Sequence, residues 1–179
     1  MPDIAIPILS RLTGVIASCA TAAFCSLATP SNAEIGLSAP TKLGEVTFRW
    51  LGLPLYDASL FLEGEEQFDW NRPLALRLSY RRAFSKDQLM RATAAEIERL
   101  EGQRPDQAQF LQKLDQCFRD VGAGDNFVAS SPSRNQVALY LNGRRTCSVR
   151  HPDARKRFLN IWLSDNSRAA RLSRELRGQ

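Results

Sequence analysis

Leu74, Leu76, Leu78 and Tyr80 alternate with Ala75, Arg77, Ser79 and Arg81, and a few residues later the apolar period changes. A repeat of two is a strand with one buried face; a repeat near 3.6 is a helix. From Ser85 onward Leu89, Thr93, Ile97 and Leu100 share one helical face, which runs to about Glu101. Ser85-Lys86-Asp87-Gln88 fits a capping box, in which the Ser hydroxyl takes a free backbone N–H and the Gln side chain reaches back. After a break at Gly102 to Pro105, Phe110, Leu114, Cys117, Phe118 and Val121 are spaced for a second helix, closed by Gly122 and Gly124. Ahead of this block, Val46, Phe48 and Trp50 mark one strand and Leu55 to Leu62 another, joined by a turn at Leu51 to Pro54. Behind it, Asn126 to Ser130, Gln136 to Leu141 and Arg144 to Arg150 read as strands. Asn142-Gly143 predicts a two-residue hairpin, since that turn needs positive φ twice. In that register Leu141 faces Arg144 and Ala138 faces Cys147. Pro152 then opens a helix with Ala154, Phe158, Ile161 and Trp162 inward, and Ser167 to Leu176 is a last, Arg-rich helix. Runs of strands and runs of helices, without β-α-β alternation, predict an α+β fold with an antiparallel sheet.

The first part of the chain reads as an address. Arg11 is the last charge before Glu34; between them lies the apolar run Leu12 to Thr29, then Pro30-Ser31-Asn32-Ala33. A positive start, an apolar stretch and a small-x-small site in that order describe a cleaved secretory signal peptide. Residues 1–33 are therefore read as leader and 34–179 as one domain, exported and periplasmic. Two alternatives are a membrane anchor and lipid attachment at Cys19. The run is rich in Ala, Ser and Thr and weakly apolar for an anchor, and it stays apolar beyond Cys19. Cleavage leaves Cys117 and Cys147, a pair that an oxidising compartment invites to bond. Register decides whether they meet: the predicted hairpin puts Cys147 with Ala138, Tyr140 and Val149, whereas the opposite face carries Val137, Leu139 and Leu141.

A single histidine excludes any site needing two imidazoles. His151, before Pro152, reads as a solvated helix-entry residue, and Asp120 and Asp125 as cap and turn residues. No metal and no cofactor is assigned. Arg144, Arg145, Arg150, Arg155, Lys156 and Arg157 crowd one stretch and Arg168, Arg171, Arg174 and Arg177 another, in a chain of net charge +5. They read as a solvated basic face, suited to an anionic lipid surface or an acidic protein. Nucleic acid is not expected as a partner: it calls for interleaved exposed aromatics, and export removes the opportunity.

Several segments together resemble the bacterial chalcone isomerase-like family. They are Leu53-Pro54-Leu55-Tyr56-Asp57-Ala58-Ser59-Leu60-Phe61-Leu62, a strand ending in Tyr80-Arg81-Arg82 before Ser85, and Phe118-Arg119-Asp120-Val121 with Gly124-Asp125. Tyr140-Leu141-Asn142-Gly143 and Phe158-Leu159-Asn160-Ile161-Trp162-Leu163 continue in the same order. The resemblance implies an open-faced β-sandwich, an antiparallel sheet with helices packed on one face. Plant relatives cyclise a chalcone to a flavanone; others are fatty-acid-binding or non-catalytic. The catalytic pattern is where this chain departs. In an ungapped match the enzyme's catalytic Arg falls near Leu43-Gly44-Glu45, its water-positioning Thr at Tyr56, and its Tyr and Asn near Leu89 and Glu96. Arg49 or Lys42 supplies a charge only from a shifted register. Cyclisation needs a cation beside the phenolate and donors at the developing enolate.

The resulting expectation is a non-catalytic protein that binds a hydrophobic small molecule such as a fatty acid, or serves as an accessory protein. The cleft between sheet and helices would be lined by some of Phe48, Trp50, Tyr56, Leu76 and Leu78. The alternatives are an isomerase acting on an unsaturated carbonyl compound and an adaptor that works through its basic surface. The leader reading makes a direct prediction. Exported protein begins at Glu34, and intact-mass analysis of secreted material checks it; retention of residues 1–33 or an acylated Cys19 refutes it.

Overall fold

A computed structural model describes residues 35–179; the leader lies outside them. Six strands form one antiparallel sheet in sequence order: β1 (Pro40–Trp50), β2 (Leu53–Glu63), β3 (Leu74–Tyr80), β4 (Asn126–Ser133), β5 (Gln136–Leu141) and β6 (Arg144–Arg150). Four helices, α1 (Lys86–Glu101), α2 (Gln107–Asp115), α3 (Ala154–Leu163) and α4 (Ala170–Leu176), complete an α+β open-faced sandwich. Alternation explains the layering. Ala58, Leu60 and Leu62 of β2, Leu74, Leu76 and Leu78 of β3 and Phe127 and Ala129 of β4 meet Ile97, Leu114, Phe158 and Leu159 of the helices in one core. The opposite face carries Glu45, Asp57, Ser59 and Arg77 with a small apolar cluster of Phe61, Ala75 and Val128. Ile35 and Leu37, from the segment ahead of β1, cover that cluster.

Local signals in the sequence have their structural counterparts. Ser85 caps α1, accepting from the Gln88 N–H at 3.2 Å, while the Gln88 side chain accepts from the Ser85 N–H at 2.9 Å. Asn142 and Gly143 take φ of 49° and 75°, the double positive turn. Gly44 marks a close approach. A Cβ there would lie 2.5 Å from the Glu175 carbonyl oxygen and 2.6 Å from that of Leu176, so only glycine lets α4 close on β1.

Four expectations are corrected. The second helix stops at Asp115 instead of reaching Val121. Val121 and Phe84 exchange backbone hydrogen bonds of 2.9 Å in both directions, and this bridge draws the chain out of the helix. The β5–β6 register also differs. Arg144 faces Leu141, but the pairing then shifts so that Tyr140 faces Arg145 and Leu139 faces Cys147. The additional residue is Thr146, whose hydroxyl donates to the Leu139 carbonyl at 3.1 Å. This bulge turns Cys147 onto the helix-covered face, beside Val137 and Leu139 rather than Ala138. There Cys147 is bonded to Cys117, with Cα atoms 5.1 Å apart.

The third correction concerns His151. It is buried, 5.0 Å from the Phe110 ring, and its Nδ1 lies 3.2 Å from Arg157 Nη1. The fourth concerns the basic runs, part of which lie inside the molecule. Arg157 holds Glu101 at 2.9 Å and Asp106 at 3.2 Å and stacks on Phe110. Arg155 donates to the Ser131 hydroxyl and carbonyl and to the Trp70 carbonyl, and Arg177 donates to the Leu163 carbonyl and pairs with Asp165. Their long side chains cross the helix–sheet boundary, and the guanidinium groups satisfy carbonyls and carboxylates there.

The disulfide spans a sequence separation of 30 residues. Closing a loop of that length stabilises by about 3–4 kcal/mol in the chain-entropy model. Denaturing alkylation without reductant is expected to leave Cys117 and Cys147 unlabelled. Reduction is expected to lower the urea midpoint by the equivalent of that energy.

Candidate functional site

Tyr56 and Tyr80 face each other across β2 and β3, their rings 5.8 Å apart. Both project from the covered face toward α1. Beside them Trp162 of α3 donates its indole N–H to the Tyr56 hydroxyl at 3.0 Å. These residues form one wall of a cleft of about 160 Å³, with Leu89 and Glu96 of α1 opposite and Leu78 at its floor. Ala92 and Thr93 of α1 and Phe118, Phe127 and Ile161 complete it. The α1 roof is thin, because only Thr93 and Ile97 of its sixteen residues are buried. A wider hollow of about 800 Å³ lies over β6, but Lys113, Gln116, Arg145 and Arg150 make it a polar surface depression. The apolar enclosure with a few convergent polar atoms is the cleft under α1, the usual form of a small-molecule site.

Its polar atoms have defined states. Burial pushes the Tyr56 phenol up to about 12, outweighing the Trp162 N–H that would favour the phenolate; the Glu96 charge adds to the rise. Burial also raises the Tyr80 phenol, with Tyr56 beside it contributing. Both are neutral donors at pH 7. Since Tyr56 accepts from Trp162, its own hydrogen is left for a ligand's acceptor atom. Burial of Glu96 would raise its pKa, but hydrogen bonds and ion pairs with Arg99 and Arg168 win and hold it below the ordinary carboxylate value. Arg99 lies 2.8 Å from it, and Arg168 pairs with its other oxygen. Glu96 is thus an anion at the rim of the cleft with its charge already compensated.

The five residues expected to line a cleft are dispersed. Tyr56 and Leu78 line it. Phe48 stands behind Tyr56, ring to ring at 5.1 Å. Leu76 is packed in the core below the floor. Trp50 is a correction: it is 66% exposed at the tip of the β1–β2 hairpin. The pairing shifts after Phe48, with Arg49 opposite Pro54 and Trp50 opposite Leu53, so alternation along β1 does not carry the covered face to its end. The positions matched to the plant enzyme's Thr, Tyr and Asn do converge, as Tyr56, Leu89 and Glu96 on one cleft. The two arginine or lysine candidates do not join them. Arg49 donates to the Gly52 carbonyl, and Lys42 pairs with Glu45 at 3.1 Å. Among the described residues no group of three His, Cys, Asp or Glu side chains is placed to hold a metal. Asp120 accepts from the Lys86 N–H, and Asp125 from the Gly122 N–H and the Asn142 amide.

The chalcone isomerase-like family model matches residues 47–178, which takes in five whole strands, part of β1 and all four helices. The chain belongs to the chalcone isomerase-like family. No curated protein matches it by sequence. Among solved structures it is similar to a fatty-acid binding protein of Arabidopsis thaliana, with a TM-score of 0.59 at 8% identity, over 79% of this chain and 88% of that one. At that identity the likeness is one of fold. The chalcone isomerase-like sheet and helices are therefore common to both, and the side chains in the cleft are this chain's own. Trp162 and Ile161 belong to a segment that the sequence marks as helical core, and only the crossing of α3 over Tyr56 turns them into cleft wall.

Glu96 supports a prediction with a definite sign. Its folded pKa is depressed, so its pairs add stability above the unfolded value of about 4.5, and that stability is lost as pH falls through the folded value. Glu96→Gln should cost about 1 kcal/mol at pH 7, the scale of a partly exposed pair. Urea titrations of both proteins should converge as the pH is taken below 4.

Proposed function

We propose that this protein binds a hydrophobic small molecule in the cleft under α1 without transforming it. The observation that carries the reading is an apolar enclosure whose polar atoms are two neutral phenols, a threonine and a compensated carboxylate. Among the described residues no lysine or arginine lines it. An isomerase acting on an unsaturated carbonyl compound would need a cation beside the attacking oxygen and a donor where Leu89 stands. The fatty-acid binding of the Arabidopsis protein supports an acyl chain as one class of ligand. Export to the periplasm belongs to the same proposal, resting on residues 1–33.

The volume sets a condition. A cavity near 160 Å³ holds a ring or a short acyl segment, comparable to apolar cavities of roughly 150 Å³ that admit benzene. A long acyl chain enters only as α1 lifts from the sheet. That movement uncovers Leu89 and Met90 of α1 and the Leu78, Tyr80 and Phe127 surface beneath them, and the bound acyl chain replaces those apolar contacts. The Tyr56 hydroxyl then donates to the ligand's carbonyl or hydroxyl oxygen. Burial of the hydrocarbon supplies the driving force, and this requires no catalytic group.

One preparation assayed twice tests the reading. Displacement of a fluorescent fatty acid is expected, with chalcone turnover by absorbance at background. Ala92→Leu, which fills the cleft from α1, should weaken the fatty acid by about tenfold, the worth of one displaced apolar contact of that size. Turnover that disappears in Tyr56→Phe would overturn it, as would unchanged affinity in Ala92→Leu. Absence of both turnover and displacement would favour an adaptor working through its basic surface.

A further inference from the structure

Two of the sheet's hairpins turn on two residues with the same backbone geometry. Asn142 and Gly143 have φ of 49° and 75°; Leu51 and Gly52 have φ of 48° and 79°. Asn-Gly is the pair this turn favours, because Asn tolerates the left-handed region. Leucine does not, since its bulk makes the conformation strained. Nor does Leu51 gain by packing, for it is 87% exposed. Its neighbours Trp50 and Leu53, a cross-strand pair, are 66% and 52% exposed. These three are the exposed large apolar side chains among the described residues, and all stand on one convex tip. Solubility and turn geometry both argue against leucine here, so the residue answers to something the free protein does not contain.

The surrounding charge indicates what that is. In an antiparallel sheet in sequence order, the connections after β1, β3 and β5 lie at one end. That end carries Arg49 at the tip, Arg81 and Arg82 after β3, and Arg144 and Arg145 at the β5–β6 turn, all exposed. Arg81 is fixed beside the tip by its N–H to the Leu55 carbonyl, 2.9 Å. Among the described residues, only Arg81 of these is paired with a carboxylate, that of Asp57 at 2.7 Å. The other end of β2 and β3 runs into Glu63, Glu65, Glu66 and Asp69. That opposite end also carries Lys42, Arg72, Arg134 and Arg150, and Asp120 and Asp125 stand at the tip's end, so the attraction to a negative surface comes from the arginines beside the tip and not from a polarity of the whole molecule.

We propose that the Trp50-Leu51-Gly52-Leu53 tip inserts into the headgroup boundary of an anionic lipid surface, with the ring of arginines seated on the headgroups. A convex tip of three apolar side chains needs a soft medium. Indole at its edge and guanidinium groups behind suit the interface between headgroups and acyl chains. This goes beyond the cleft reading and does not depend on it. The cleft's Tyr56–Tyr80 pair lies at the same end of the sheet, so a docked molecule would present that end to lipid.

The test uses the full chain with vesicles of brominated phosphatidylcholine, with and without brominated phosphatidylglycerol. Trp50 emission is expected to be quenched on the anionic vesicles, and Trp50→Phe, which keeps Trp70 and Trp162, should lose that quenching. Because it is read at Trp50 itself, binding through any other part of the chain does not imitate it. Leu51→Asn is the decisive variant. It installs the favoured turn, so its Tm should hold or rise, while partition to anionic vesicles falls about tenfold for one lost leucine. Arg82→Gln with Arg145→Gln should reduce the preference for anionic over neutral vesicles by more than tenfold at low salt, at about fivefold per charge. Fatty-acid displacement on the same samples should stay at the parent value, which separates a failed tip from a failed cleft. Equal partition of Leu51→Asn and parent overturns the proposal. Absence of quenching at Trp50 also overturns it.

Discussion

Arg157 carries its guanidinium from α3 into the interior, where Glu101 at the end of α1 and Asp106 at the start of α2 both close on it. Phe110 of α2 lies flat beneath it, 4.4 Å away, and His151 sits against its Nη1. Three helices thus meet at one buried cation. A charge in that position is tolerable only while both carboxylates remain, because an unpaired ion in a low-dielectric interior is strongly destabilising. The sheet supplies a broad apolar face that any helices could cover. The ion cluster selects one arrangement of them, and with it the line along which α1 crosses above Tyr56.

The cleft follows from that arrangement. With its end held at Glu101, α1 spans the sheet while burying only Thr93 and Ile97. Space remains beneath it where the two tyrosines and Trp162 stand. Tyr56, Leu89 and Glu96, the positions that the resemblance matches to the plant enzyme's Thr, Tyr and Asn, converge on this space. Leucine offers neither charge nor donor there, and the carboxylate is neutralised by Arg99 and Arg168. The family's fold is kept, and the cleft in this chain is an apolar space with neutral phenol donors.

Much of the fold was legible because local physics and tertiary structure agree. The alternation in β3, the capping box at Ser85 and the double positive turn at Asn142-Gly143 each express a preference that packing then uses. Legibility failed where one residue changed the count. Thr146 bulges, and Cys147 moves to the covered face where Cys117 lies. A register shift after Phe48 removes Trp50 from the face that alternation assigns to it. Of the candidate cleft, Tyr56 and Leu78 could be named from the sequence; Trp162 and Glu96 could not be assigned to it by pattern, since helical spacing shows a face but not what it faces.

The arginines mark the same division. Composition records a basic chain, and the sequence records two crowded runs. Whether a given guanidinium meets solvent or a carboxylate depends on contacts between residues far apart: Arg157 to Glu101 across α3 and α1, Arg155 to Ser131 across α3 and β4, Arg168 to Glu96. Element type, the antiparallel sheet and the presence of an apolar face were determined by the sequence alone, because they arise from period, turn chemistry and the grouping of strands and helices along the chain. Register at the bulges, the burial of charge and the walls of the cleft were decided only by tertiary structure, because they depend on where separate elements cross.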